Sequence, residues 1–250
     1  GTSSDSNQEI KDSTESEIRS QVCEYLQSLY EHSSVNLTEE KSSQLPSLLC
    51  EFQDIFSKHD LDLGCFSQVT HKIDTQDAKP VRQQMRRTPV GFQDEEEKHL
   101  KAMLDVNVIQ PSSSEWAAAP VLVRKKDGGV RWCVDYRDLN KVTVKDAYPL
   151  PLMEECLDTL GGSVFYSSLD MASSYWQVPI EPEDRHKTAF LTRHGLYEYL
   201  RMPFGLCNAP ATFMRAMNSV LHGLTWSETL AFLDDVLILG KSFESHLQNI

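Results

Sequence analysis

The 250 residues suffice for one large domain, or for a domain of about 150 residues behind an extended leader. Hydrophobic residues at 40% and charged residues at 24% suit a soluble chain, and no run of about 18 apolar residues exists to cross a bilayer, so no membrane partner is expected. A net charge of −13 argues against a uniformly basic nucleic-acid binder, but residues 1–79 carry most of it, with 6 Lys/Arg against 15 Asp/Glu, whereas residues 120–145 hold seven bases against three acids.

The chain opens on GTSSDSNQEIKDSTESE, which has neither the apolar core of a signal peptide nor the arginine bias of a transit peptide. Residues 1–14 bury too little to offset ordering entropy, and are read as mobile. Ile18, Val22, Tyr25, Leu26 and Leu29 recur at helical spacing, and Leu45, Leu48, Leu49, Phe52, Ile55 and Phe56 do so again after Thr38, a candidate N-cap. Both read as small packing helices. From Asp60 to Pro89 the helical period is lost, arginines 82, 86 and 87 lie between prolines 80 and 89, and the chain reads as extended. His71 in VTHKID is read as a surface or packing histidine. A helix returns over Gly91–Val108 through Phe92, Leu100, Met103 and Leu104, with acids 94–97 where the helix dipole favours them.

After Pro120 the pattern changes to short strands. VLVRKK and VRWCVDY flank Asp127-Gly128-Gly129 as a hairpin. A helix near Leu152–Leu160 stops at Gly161-Gly162, and VFYSSLD rises as a strand to Asp170. TAFLT and LYEYL pair across Arg193-His194-Gly195, Asn208 and Pro210 open a helix carrying Phe213, Met217, Val220 and Leu221, and LAFL and VLIL bracket Asp234-Asp235. This order predicts an α+β domain, an antiparallel sheet with helices on one face. Six cysteines without a CxxC pair form neither a zinc site nor a disulfide framework, and read as reduced thiols of a cytoplasmic or nuclear protein.

Two adjacent carboxylates interrupt the apolar stretch LAFLDDVLIL. Alone, such a pair in a turn is adequately explained by solvation. Held rigidly between buried strands and joined by a third acid, it would bind divalent cations. Asp170, at the end of its apolar strand, is the candidate third acid, although it too has a simpler role in capping the next turn. Two Mg²⁺ ions bridged by such carboxylates suit phosphoryl transfer.

VRWCVDYRDLN (130–140), YSSLDMASSYWQV (166–178), RMPFGLCNAPATFMRAMN (201–218) and FLDDVLIL (232–239) together resemble, in order and spacing, the motifs of reverse transcriptases, most closely those of Gypsy-type long-terminal-repeat retrotransposons. The resemblance covers roughly residues 45–250. It implies the fingers and palm of a right-hand polymerase over 91–250, stopping where a thumb would begin. A protease-to-polymerase connecting segment over 45–90 and an acidic helical or extended leader over 1–44 would precede it.

By position it implies that Asp170, Asp234 and Asp235 are catalytic and bind Mg²⁺, or Mn²⁺ in its place, with the Met171 carbonyl as a further ligand. Tyr175 would be the gate beneath the incoming sugar, although core packing alone also explains it. Lys125, Lys126 and Arg131 would reach the triphosphate, and Phe204 and Gly205 the nucleotide; a solvated basic hairpin and a plain helix-entry turn are the simpler readings. Asn208, Pro210, Phe232 and Leu233 would face template and primer. Implied partners are an RNA or DNA template with its primer, dNTPs, and the remaining pol domains: protease, thumb, ribonuclease H and integrase. The implied location is cytoplasmic, in virus-like particles, or nuclear.

The usual YxDD stands here as FLDD, so Phe232 lacks a hydroxyl, and the Phe204 that precedes Gly205 supports the Gypsy-type subgroup. Rival readings are a catalytically inactive nucleic-acid-binding fragment and, less favoured, a two-metal nuclease.

Overall fold

The computed structural model describes residues 22–85, 90–124 and 130–250. The expected mobile leader at 1–14, Ile18, arginines 86 and 87, Pro89 and the turn at 127–129 lie outside the described residues. The chain forms two compact units that divide after Asp62.

In the first unit a 3-10 turn, Glu24–Leu26, runs into helix α1 (Gln27–Ser34), followed by α2 (Glu39–Ser42) and α3 (Leu45–Glu51). Val22, Leu26, Tyr30, Leu45 and Leu49 are buried. The expected first stripe is displaced at its end, where Tyr30 is buried and Leu29 exposed. Thr38 precedes α2 without a side-chain cap bond, and α3 begins instead at Leu45 with Pro46 in its first turn. Because α3 stops at Glu51, Phe52 and Ile55 leave its apolar face and are exposed.

The second unit begins with an extended strap. The Phe66 N–H donates to the Gln177 carbonyl, His71 N–H to Pro179, Val144 N–H to Asp74, and Gln83 N–H to Ala117. Its residues alternate, with His71, Ile73 and Thr75 buried between exposed Lys72 and Asp74. His71 is a packing histidine, its Nδ1 2.8 Å from Thr212 Oγ1.

Helix α4 (Gln93–Asp105) carries Asp94, Glu95 and Glu96 in its first turn, and buries Leu100 and Met103 as expected. It buries Glu96 as well. Strands β1 (Ile109–Pro111), β5 (Phe190–Thr192) and β6 (Gly195–Tyr199) form an antiparallel sheet in the order β1-β6-β5. Strands β2 (Pro120–Arg124) and β3 (Val130–Val134) pair as the expected hairpin. Helix α5 (Arg137–Val142) follows directly where the sequence read as strand up to Tyr136 and gave no helix. Helix α6 (Met153–Thr159) and strand β4 (Phe165–Asp170) stand close to their expected bounds.

A 3-10 turn over Ser174–Gln177, a second over Pro182–Thr188, α7 (Ala209–Val220), the hairpin of β7 (Thr229–Phe232) and β8 (Asp235–Gly240), and α8 (Phe243–Asn249) complete the order. The third sheet runs β4-β8-β7. Alternation sends Leu169, Val236, Ile238 and Ala231 to one face of it, into the main core with Phe213, Met214 and Met217 of α7. On that face α8 also packs, with Phe243 and Phe165 ring centroids 5.6 Å apart. The opposite face presents Leu230, Leu237 and Leu239, and Cys156 of α6 covers them. Helices on one face, as expected from the sequence, thus describes α7 and α8; three leucines alternating onto the other face require α6 there.

Candidate active site

Six register pairs tie β4 to β8, from Phe165 opposite Gly240 to Asp170 opposite Asp235. On the other side of β8, Phe232 of β7 also stands opposite Asp235. Residues directly opposite in a ladder share a face, so Phe232, Asp235 and Asp170 form one row across the end of the sheet. Leu233 and Asp234 make the two-residue turn. Leu233 adopts φ 55°, a left-handed conformation that costs a non-glycine residue on the order of 1–2 kcal/mol. The Met171 N–H donates to the Asp234 carbonyl at 3.2 Å, tying the turn to the segment after β4. The Met171 carbonyl, an expected ligand, accepts from the Ser174 N–H at 3.2 Å.

The backbone therefore brings Asp170, Asp234 and Asp235 to one place, with Asp170 and Asp235 exposed and Asp234 half-buried. Carboxylate oxygens are the hard donors that suit Mg²⁺. Their side chains do not converge, however: among the described residues no three His, Cys, Asp or Glu side chains form a group that could hold a metal ion.

Tyr175 sits beside this end on the Ser174–Gln177 turn. Its ring lies 4.8 Å from that of Phe204 at 34° and 5.5 Å from that of Phe213 at 56°. Burial, and secondarily the charge of Asp234, pushes the phenol above its usual range. Phe204 is half exposed, so the pair forms an aromatic wall open on one side. Gly205 holds φ 94°, a conformation natural to glycine. Its carbonyl accepts from Asn140 Nδ2 at 2.7 Å, while Asn140 Oδ1 accepts from the Cys207 N–H at 2.9 Å. Asn140 thus fixes the 205–207 loop, a role the sequence reading did not assign.

Asn208 stands at the N-cap of α7 and Pro210 in its first turn, but the Asn208 side chain does not cap the helix. Its Nδ2 donates to the Val144 carbonyl at 2.7 Å and its Oδ1 accepts from the Asp146 N–H at 3.1 Å.

Of the expected phosphate contacts, Lys125 and Lys126 lie outside the described residues. Arg131 has its backbone on β3 opposite Val123, and its side chain also lies outside them. Beside this hairpin a cavity of about 710 Å³ is lined by Arg82, Gln83, Arg137, Asp135, Asp138 and Lys141, among others. Several of its cations are already engaged. Arg137 meets Asp135 at 2.6 Å, Lys141 meets Asp138 at 2.7 Å, and Arg82 lies 3.9 Å from Glu115. Charge counting along residues 120–145 therefore overstates the positive charge that this groove offers an incoming phosphate.

The family described as "Reverse transcriptase (RNA-dependent DNA polymerase)" matches residues 123–250. The retrovirus-related Pol polyprotein from transposon 297 of Drosophila melanogaster is 35% identical over 220 residues, 86% of this chain and 21% of that protein. The corresponding polyprotein from transposon gypsy of the same organism is 33% identical over 231 residues, 87% of this chain and 22% of its own length. The transposon Tf2-3 polyprotein of Schizosaccharomyces pombe is 31% identical, over 84% of this chain and 16% of that protein. The chain spans about a fifth of the length of the curated relatives it matches. Among solved structures, a selenomethionine-labelled mutant of prototype foamy virus protease-reverse transcriptase superposes with a TM-score of 0.81 at 25% identity, covering 90% of this chain and 30% of that one. The foamy viral protease-reverse transcriptase in complex with an RNA/DNA hybrid gives the same TM-score at 21% identity, over 89% of this chain and 30% of that one.

Proposed function

Because the chain belongs to the reverse transcriptase (RNA-dependent DNA polymerase) family, we propose that it performs template-directed deoxynucleotidyl transfer as the fingers and palm of a retrotransposon pol polyprotein. In this reading the primer 3′-hydroxyl attacks the α-phosphate of a dNTP and pyrophosphate leaves. The observation that carries it is the registry of Asp170 with Asp235 beside the Leu233-Asp234 turn, three hard ligands at one end of a rigid sheet. Rotation of these side chains toward one another would let Asp170, Asp234 and Asp235, with the Met171 carbonyl, hold two Mg²⁺ ions, or Mn²⁺ in their place. Such ions, when bound, neutralise the triphosphate and lower the pKa of the attacking hydroxyl.

The remaining steps belong to the chain itself. The Tyr175 ring, backed by Phe213, closes the space beside the sugar where a 2′-hydroxyl would sit. Half-exposed Phe204 offers a face to the base, and Gly205, lacking a side chain, leaves room for it. Asn208 and Pro210 set the start of α7 toward the template, and Phe232 and Leu233 lie nearest the primer end. Lys125, Lys126 and Arg131 hold the triphosphate, while the groove of Arg82, Arg137 and Lys141 tracks template phosphates by exchanging them for Glu115, Asp135 and Asp138. The RNA/DNA hybrid bound by the foamy viral relative is the class of duplex proposed here. Thumb, protease, ribonuclease H and integrase are the proposed neighbours in the polyprotein.

Primer extension on poly(rA)·oligo(dT) with Mg²⁺ tests the reading: Asp234→Asn abolishes incorporation while the protein stays folded. Full activity in that variant removes the core of the proposal. The rival reading is nucleic-acid binding without turnover. Tight primer-template binding by wild-type protein, without extension in either Mg²⁺ or Mn²⁺, would decide for it.

A further inference from the structure

Helix α4 places an acid where its apolar stripe calls for an aliphatic residue. Glu96 shares the inward face with Leu100 and Met103 and is 1% exposed, yet neither of its carboxylate oxygens has a hydrogen-bond partner. Unpaired buried carboxylates are rare, because desolvation without compensation is costly. Two donors in the same region are equally unsatisfied. The indole N–H of Trp132, on β3, and that of Trp176, on the Ser174–Gln177 turn, are both buried without an acceptor. His99, one helical turn from Glu96, joins the three. Its ring lies 5.7 Å from that of Trp132 and 6.3 Å from that of Trp176. Burial pushes this imidazole below its usual range, which leaves it neutral near pH 7, with one donor and one acceptor.

We propose that Glu96, His99, Trp132 and Trp176 enclose a buried water site, and that Glu96 acts through this water as a positioning residue for the turn that carries Tyr175. A buried water needs two to four polar partners, and carboxylate oxygens, indole donors and a neutral imidazole supply acceptors and donors together. The consequence follows from sequence adjacency. Trp176 is the residue after Tyr175, so a hydrogen-bonded Trp176 indole fixes the far side of the turn whose near side stacks on Phe204. A dry pocket would leave the Trp176 side chain held by ring packing alone. This second, positioning half rests on the polymerase reading; the water site does not.

Two variants separate the outcomes. Glu96→Leu restores the apolar pattern of α4 and removes the acceptor, whereas Glu96→Gln keeps an acceptor of the same size. In spectra of ¹⁵N-labelled protein, the Trp132 and Trp176 indole signals shift in Glu96→Leu and return toward their wild-type positions in Glu96→Gln. The Trp116 and Trp226 signals stay in place. Unmoved Trp132 and Trp176 signals in Glu96→Leu, or a high-resolution crystal structure with no water bonded to Glu96, overturn the site. In primer extension, Glu96→Leu raises the dNTP KM about tenfold with kcat changed less than about twofold, and Glu96→Gln restores the KM. An unchanged KM in Glu96→Leu overturns the positioning role. If wild-type protein extends no primer, the polymerase reading fails and the indole spectra alone decide the water site.

Discussion

Asp170 on β4 stands directly opposite Asp235 on β8, the last pair of their ladder. Like charges in that relation destabilise a sheet by about 0.2–1 kcal/mol. A divalent cation between them turns repulsion into attraction. At a tenfold excess over its Kd, Mg²⁺ therefore adds about 1.4 kcal/mol, a rise of about 3–5 °C in Tm for a chain of this size. Asp170→Asn melts slightly higher than wild type without metal and loses the Mg²⁺ increment. Equal increments in the two proteins would show that the cation binds elsewhere.

The contact of Tyr175 with Phe204 and Phe213 links selectivity to packing. Tyr175→Val shortens the wall beside the sugar and admits ribonucleotides, and the lost ring contacts lower stability by about 1–3 kcal/mol. Tyr175→Phe keeps the rings and changes neither property appreciably. Single-nucleotide incorporation of rNTP against dNTP, with a urea melt alongside, checks both effects. Unchanged sugar discrimination in Tyr175→Val would remove the gate.

His71 gives the stability a pH dependence of definite sign. Desolvation, its main cause, lowers the pKa to about 4, against the opposing pull of Asp184 and Asp146. The unfolded chain, with a histidine near 6.5, binds the proton first, so stability is full above about pH 6.5 and falls as the pH drops toward 4. The loss amounts to about 3 kcal/mol across that window. The burial-lowered His99 and His246 act in the same direction. His71→Gln, which still reaches Thr212, flattens the slope of urea-melt stability between pH 4.5 and 7. An identical slope in that variant would contradict the assignment.

Gly240 has no room for a side chain. A Cβ there would stand 2.4 Å from His246 Cβ and 2.8 Å from His246 Cα, so part of the obstacle is backbone. Gly240→Ala forces α8 off β8 and costs at least about 1–3 kcal/mol. Limited proteolysis then cuts within residues 241–250 earlier than in wild type. Equal cutting rates would mean that α8 is held by other contacts.

The boundary after Asp62 predicts which truncations fold. Removing residues 1–62 leaves a cooperatively melting protein. Extending the deletion through Met85 takes away buried Ile73, His71 and the strap's hydrogen bonds, and the remainder loses its sharp thermal transition. Circular dichroism melts distinguish the two, and a cooperative melt from residues 86–250 would refute the integral role of the strap.

What the sequence made legible was local. The strand-end and turn positions of Asp170 and the Asp234-Asp235 pair were readable because charged residues end or interrupt apolar strands, and the hairpin pairings followed from alternation around turn residues. Strand β1 was not readable, since three residues after a helix carry no period of their own and are defined by pairing with Tyr197–Tyr199 far along the chain. Glu96 is the first-turn acid that helix-dipole logic expects, but that logic takes no account of which face turns inward and so does not reveal its burial. Asn140 and Asn208 act through distant backbone groups that no motif spacing reveals. The strap does carry a local signal: VTHKIDT alternates with period two, and its buried members are His71, Ile73 and Thr75.

That strap also constrains the order of events during synthesis. His71 leaves the ribosome 141 residues before Thr212, its buried partner. At about 5–20 residues per second this is a delay of roughly 7–30 s. Within that interval the strap's backbone partners Ala117, Val144, Gln177 and Pro179 emerge in turn, so the strap can dock in stages and the His71 side chain is the last of these contacts to close. Translation speed across residues 72–212 therefore sets how long the His71 side chain waits for its buried partner.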